Sequence, residues 1–246
     1  MRYLLAIDDT DNKESRGTGF RARSLASLLE EKQLASVEGI SRHQLFVHPD
    51  IPYTSQNSSA CLDILTDNIE AVRQTSRTFI LNDSAPGSDA AVCLKKWEDI
   101  PLEVVEYGRR AKIEVLNMQT ATNLADRYKI YLEGLTGEHT GIIGALAAIG
   151  LRKGENDGRF IWLSGKNLRD LEGVISIGEL KRQIPLDAVY TLEERELDDE
   201  TILELGNWIR PVMKHGRKIL IAEKTNNNEN GNWRIKSREY LKSISQ

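Results

Sequence analysis

Near the start of the chain the apolar run Tyr3-Leu4-Leu5-Ala6-Ile7 ends in Asp8-Asp9-Thr10-Asp11-Asn12, and no other stretch constrains the fold as tightly. An apolar run of this length reads as a short buried strand. It starts so close to Met1 that no targeting segment is expected ahead of it. Carboxylates at the C-terminal end of a strand face the crevice in which α/β proteins bind ligands. Left unpaired, the three would repel one another, and hard oxygen donors in this number suit Mg²⁺. The same residues support a second reading, an Asp-rich turn that caps a helix, because Asp, Thr and Asn bond their own backbone in turns.

Arg16-Gly17-Thr18-Gly19 then leads into a stretch at 20–29 in which Leu25, Leu28 and Leu29 keep helical spacing. Strand, acidic turn, Gly-bearing loop and helix follow one another, and a helix N-terminus behind glycines offers backbone N–H groups to an anion. A Mg²⁺ site beside a phosphate site points to a nucleoside triphosphate. The GxxxxGK[ST] pattern is absent, so this is not a P-loop.

Further along, 44–48, 60–65 and 90–94 are expected as strands and 69–81 as a helix, with a turn at Pro86-Gly87. A helical pattern over 113–132 leads to a second Gly-rich loop, Thr136-Gly137-Glu138-His139-Thr140-Gly141, which opens an Ala-rich helix at 142–150. Its small side chains allow close packing, and its N-terminus suits an anion. Strands are expected at 159–163, 218–223 and 233–236, the last two flanking an Asn-rich hairpin loop at 225–232. The architecture is mixed α/β.

With 246 residues, 40% of them apolar, the chain can bury more than one core. Cys61 and Cys93 are its only cysteines, and without a CxxC pair they build neither a disulfide framework nor a zinc ribbon. The 37 acidic residues outnumber the 33 basic ones, for a net charge of −4, which argues against broad nucleic-acid binding. The longest apolar stretch, 142–151, covers about 10 residues where a membrane helix needs about 20. No membrane association and a cytoplasmic location are therefore expected.

The acidic turn, Ile51-Pro52-Tyr53-Thr54-Ser55-Gln56-Asn57-Ser58, Ala85-Pro86-Gly87 and Thr140-Gly141-Ile142-Ile143-Gly144-Ala145-Leu146-Ala147-Ala148-Ile149-Gly150 occur in an order that resembles the archaeal isoleucine-tRNA 2-agmatinylcytidine synthetase family. The resemblance covers about residues 1–165. It implies an α+β fold, with a kinase-like ATP- and Mg-binding domain over 1–97 and a ferredoxin-like domain over 98–170. It also implies Mg²⁺ and ATP as cofactors, and activation of the 2-carbonyl carbon of a tRNA cytosine for attack by agmatine. Residues 171–246 lie beyond the resemblance and read as a small β-rich extension.

Two departures shape the expected substrate. Where the family has a Met-Cys-Thr-Thr stretch with a phosphorylated threonine, this chain has Thr18-Gly19-Phe20-Arg21, which puts Phe20 at the modified position. The family's Ile-Pro-Tyr-Lys-Thr-Arg-Gly-Asn also loses both cations here, leaving Tyr53, Ser55, Gln56, Asn57 and Ser58 as a neutral, hydrogen-bonding set. With no zinc ribbon either, the chain is expected to be an ATP- and Mg-dependent transferase or ligase acting on a small-molecule acceptor. Tight nucleic-acid binding by the chain alone is not expected, and a homo-oligomer is allowed for. The alternatives are a tRNA cytidine-modifying enzyme and a non-catalytic nucleotide or metabolite sensor.

In this reading Asp8, Asp9 and Asp11 hold Mg²⁺ and carry catalysis. Thr10, Arg16, Gly17, Thr18, Gly19, Thr136, Gly137 and Gly141 contact the nucleotide, while Tyr53, Ser55, Gln56, Asn57, Ser58 and His139 line the acceptor pocket. Plainer readings stand beside these. Glycines before a helix also serve loop geometry alone, and His139 is either an acid–base group or a solvated loop residue. His43 and His48 read as packing or surface residues. Arg109, Arg110, Lys236, Arg238 and Lys242 contact RNA or form a solvated face.

Overall fold

The N-terminal apolar run forms β1 (Arg2–Asp8), buried from Leu4 to Asp8 because helices cover both faces of its sheet. The computed structural model describes residues 1–51, 57–206, 208–225, 233–236 and 240. By contacts the chain divides into two units, Met1–Gly154 and Glu155–Gln246, whereas the sequence reading drew boundaries at 97 and 170. Both units are mixed α+β.

In the first unit, β1 pairs on one side with β3 (Ser58–Leu65) and on the other with β4 (Ala91–Lys96); β2 (Ser36–Gln44) lies outside β3 and β5 (Tyr131–Gly134) outside β4, all antiparallel. Successive side chains alternate across the sheet. Leu4, Ala6, Cys61, Ala91 and Cys93 share a core with α3 (Leu102–Arg110), α4 (Met118–Arg127) and α5 (Ile142–Lys153). On the other face α1 (Thr18–Glu31) packs against β2 and β3, and α2 (Ile69–Asp83) against α1 and β4.

The small residues expected to permit close packing do so where α5 crosses α3. A Cβ on Gly150 would lie 1.9 Å from the Val104 carbonyl oxygen, and one on Gly108 would lie 2.8 Å from the Ala147 oxygen. The two backbones therefore touch. At the far end of α5, Arg152 donates to Asp63 of β3 at 2.7 Å, and Asp63 also takes a two-point hydrogen bond from Arg2. Arg2 in turn stacks on Trp97 at 3.5 Å.

Two elements differ from expectation. The strand placed at 44–48 is instead β2, which ends at Gln44; the Phe46 N–H then turns aside to the Ala111 carbonyl, and Pro49 has no N–H with which to extend a ladder. The helical pattern at 113–132 splits. Residues 111–117 link α3 to α4, the Asn117 side chain caps α4 by accepting from the Thr120 N–H, and positive φ at Lys129 ends the helical region so that 131–134 joins the sheet.

The second unit contains β6 (Arg159–Leu163), β7 (Lys166–Asn167), β8 (Val174–Ser176), α6 (Ile177–Gln183), β9 (Ala188–Tyr190), β10 (Ile202–Glu204), β11 (Val212–Lys214), β12 (Arg217–Lys224) and β13 (Trp233–Ile235). The long β12 pairs with β9, β11 and β13 and shares a core with Phe160, Leu180, Val189 and Leu203. Its hairpin with β11 turns through His215 and Gly216, both at positive φ, as a tight two-residue connection requires. Residues 226–232, most of the expected Asn-rich loop, lie outside the described residues. Among the described residues no helix is long and apolar enough to cross a membrane.

Candidate functional site

Where β1 ends, the chain makes a turn that delivers its carboxylates to three different environments. Asp8 is buried beneath the first turn of α5, close enough that a Cβ on Gly144 would lie 1.8 Å from its Oδ2. Burial, with Asp9 and Asp11 nearby, pushes its carboxyl up to about 8. Asp9 has left the strand, with φ of 47°, and desolvation together with the neighbouring Asp89 and Asp11 raises it to about 6. Asp11 is tied down: its Oδ1 accepts from the Thr18 N–H at 3.2 Å and from the Thr18 hydroxyl at 2.7 Å. Asp11 thus caps the start of α1, while Asp8 and Asp9 are held close together and short of positive charge. Arg42, which donates to Ser58 Oγ at 2.8 Å, is the cation whose field opposes the rise at Asp8.

The loop before α1 is short, because the helix already begins at Thr18 behind Gly17, so Gly19 lies in its first turn. The Thr18 and Phe20 amides are engaged by Asp11 and by the Gly17 carbonyl. Thr10 is fully buried, with its N–H and hydroxyl both directed at Thr18 Oγ. The Arg16 guanidinium stacks on the Phe20 ring at 4.4 Å.

The second Gly-rich loop is held by Asp89, a residue the sequence reading did not single out. Asp89 accepts from the Glu138 N–H at 2.7 Å, the Thr140 hydroxyl at 2.8 Å and, through its carbonyl, the Gly141 N–H at 3.1 Å. Thr136 donates its hydroxyl to the Ser88 carbonyl and accepts from the Ala90 N–H. Gly137 sits at φ of 58°, against Asp89. The only sequence signal for Asp89 was its place just after the Pro86-Gly87 turn.

These elements surround a cavity of about 230 Å³. Of the predicted site residues, Asp8, Asp9, Asp11, Thr18, Asn57, Ser58 and Gly141 line it. Thr10, Arg16, Gly17, Gly19, Thr136, Gly137 and His139 lie outside the lining, and Tyr53, Ser55 and Gln56 fall outside the described residues. Asn57 donates its side-chain amide to the Phe46 carbonyl at 2.6 Å. His43 is a packing residue, buried with Nε2 2.8 Å from Ser41 Oγ.

The lining adds what sequence reasoning missed: Asp50 and Glu114 on the polar side, and Leu45, Leu116 and Ile143 on the apolar side. Glu114 follows Arg110 at the i,i+4 spacing of a surface helix pair, which hid it. No Lys or Arg among the described residues lines the cavity. No three of His, Cys, Asp or Glu among them are gathered as a ready metal centre, so Asp8, Asp9 and Asp11 do not form the three-carboxylate cage expected from sequence, because Asp11 is turned to Thr18. Mg²⁺ does not need such a cage, since it keeps waters and is commonly held by one or two carboxylates and substrate phosphates. Asp8 and Asp9, with their raised values, fit that smaller donor set.

The antiparallel strands of the first unit, covered on both faces, with an acidic, partly apolar cavity where β1 ends between the starts of α1 and α5, make an α+β fold. Solved structures share it. A tRNA fluorescent labelling enzyme, and TiaS in complex with an isoleucine tRNA and ATP, each match with 23% identity and a TM-score of 0.54, over 61% of this chain and 36% of theirs. A complex of TiaS with the same tRNA, AMPCPP and agmatine matches with 22% identity and a TM-score of 0.53, over the same shares. Apo TiaS is described as an agmatidine synthetase for that isoleucine tRNA. The fold is therefore the one the sequence motifs implied, and the match spans little more than a third of the length of those proteins. No protein-family model and no curated protein matches the sequence.

These neighbours overturn one expectation. A small-molecule acceptor, with no tight nucleic-acid binding, is expected from net charge, missing cations and the missing zinc ribbon, yet two of the structures that share this fold were solved with tRNA bound. Net charge averages the whole surface, whereas nucleic-acid contact depends on local clusters of cations.

Proposed function

We propose that this chain is an ATP-using enzyme that modifies a tRNA base, the reading carried above as an alternative. One observation carries it: the cavity brings Asp8, Asp9 and Thr18 together with the start of α5, in a fold shared with solved structures that hold tRNA with ATP, or tRNA with AMPCPP and agmatine. In this reading Asp8 and Asp9 hold Mg²⁺, which when bound neutralises the triphosphate. Thr18 lies at the N-terminal end of α1, where the helix dipole favours phosphate. The second substrate is a cationic amine, an assignment supported by Asp50 in a lining that holds no Lys or Arg among the described residues. The apolar residues Leu45, Leu116 and Ile143 would exclude water from an activated base.

The loop at 136–141 has a narrower part than the sequence suggested. Its Glu138 and Gly141 amides are bound to Asp89, so it lines the cavity with Thr140 and Gly141 rather than offering those amides to phosphate. The test is to incubate the protein with Mg²⁺-ATP, a set of tRNAs and a set of amines, following nucleotide products and tRNA mass together. Nucleotide consumption that depends on tRNA, with a mass gain equal to one amine less water, is expected. Consumption indifferent to tRNA would reject the reading.

A further inference from the structure

Resting on that reading, we propose that residues 109–115 together with Val47 form a docking ledge for the single-stranded RNA flanking the acceptor nucleotide. The link from α3 to α4 runs along the cavity, lining it with Ala111, Glu114, Val115 and Leu116. The hydrogen bond from the Phe46 N–H to the Ala111 carbonyl, 2.9 Å, joins this link to the segment that lines the same cavity with Leu45, Asp50 and Ile51. Around that junction three branched apolar side chains face solvent: Ile113 is 71% exposed, Val47 52% and Val115 47%. Exposed apolar groups clustered at the mouth of a cavity mark an interaction surface more than scattered ones do.

Charge selects the occupant. Arg109, Arg110 and Lys112 precede Ile113 within four positions of the chain, and the Ile113 N–H bonds the Arg110 carbonyl. Arg109 and Arg110 are more than half exposed and paired with Glu106 and Glu114. Exposed pairs of this kind are weak, so a phosphate can displace them at little cost. The Phe46 and His48 rings, stacked with centroids 5.5 Å apart, extend the platform. Apolar faces bordered by arginines match unpaired nucleotides, which offer base faces and phosphates together; a duplex hides its bases.

The experiment measures binding of a labelled RNA hairpin with an unpaired loop, and of a duplex of equal length, to the full chain and two double variants. Ile113→Ser with Val47→Ser should weaken hairpin binding about tenfold and leave the salt dependence unchanged. Arg109→Gln with Lys112→Gln should lower the slope of log affinity against log salt by about 1 to 2. Both variants should keep the wild-type thermal shift with Mg²⁺-ATP. Hairpin affinities within twofold of wild type in both variants, or equal binding of duplex and hairpin, overturn the ledge and leave the tRNA reading standing. If the serine variant changes only self-association in sedimentation, the ledge is a protein interface and the proposal fails. A wild-type chain that binds neither RNA removes the tRNA reading itself, and the ledge with it.

Discussion

Asp8 shows how a site residue works against the fold that carries it. Its carboxyl, buried under α5 with Asp9 and Asp11 nearby, rises to about 8, so the folded state resists an ionisation that the unfolded chain accepts freely. The sign follows: at neutral pH and without metal this residue lowers stability, because its folded value lies above its unfolded one. Asp8→Asn should therefore raise the melting temperature in EDTA, by a stabilisation on the order of 2 kcal/mol, while removing the response to Mg²⁺-ATP. A variant that melts below wild type in EDTA would contradict the account. Thr18 makes the opposite case, since its hydroxyl donates to Asp11 and accepts from Thr10, and a phosphate there would sit against the Asp11 carboxylate. Incubation with Mg²⁺-ATP should leave the intact mass unchanged; a gain of one phosphate mapped to Thr18 would show that this arrangement opens. The sequence departure at Phe20 pointed the same way, but the hydrogen bonds that fix Thr18 could not be read from it.

At the scale of elements, α5 serves both the core and the cavity, and two of its glycines separate the roles. Gly150 lies against the Val104 carbonyl, where a Cβ would come within 1.9 Å of backbone that cannot rotate aside. Gly144 lies against the Asp8 side chain, which can. Gly150→Ala should cost at least about 1–3 kcal/mol of stability through overpacking at the α3–α5 crossing, measured by denaturant unfolding. Gly144→Ala should fold with near-wild-type stability, since Ala favours the helix by about 1 kcal/mol, but lose most of its thermal shift with Mg²⁺-ATP. The reverse pattern would mean that the division of α5 is wrong. That small residues signal close packing was legible in the run 142–150; which glycine meets backbone and which meets a catalytic candidate was not, because that depends on what crosses the helix.

For the whole molecule, legibility followed the length of the elements except at β2, whose nine residues carry a register shift between Val37 and Gly39 that interrupts the alternation. In the first unit β1, α1, β3, α2, β4 and α5 carry enough periodic residues to be recognised, whereas in the second β8, β9, β10 and β11 are three residues each and show no period. The cavity was half legible for a related reason. Asp8, Asp9, Asp11 and Thr18 announce themselves as a motif, but Asp50, Asp89 and Glu114 reach the site through tertiary contacts of loops that look unremarkable in sequence. The full set of lining groups supports one last prediction. Asp9, Asp11 and Asp50 line the cavity with no Lys or Arg among the described residues of the lining, and Asp8 holds its proton until a metal replaces it, so free ATP, itself strongly anionic, meets repulsion there. Mg²⁺ reverses that balance. A ligand that binds only the native state stabilises it by mass action, about 2.7 kcal/mol at a hundredfold excess over Kd. ATP should accordingly raise the melting temperature of the intact chain in Mg²⁺ and leave it unchanged in EDTA, and high salt should not restore the missing shift, because screening weakens repulsion without supplying the metal's bonds to phosphate. An equal shift in EDTA would separate nucleotide binding from the acidic turn and move the phosphate site away from β1.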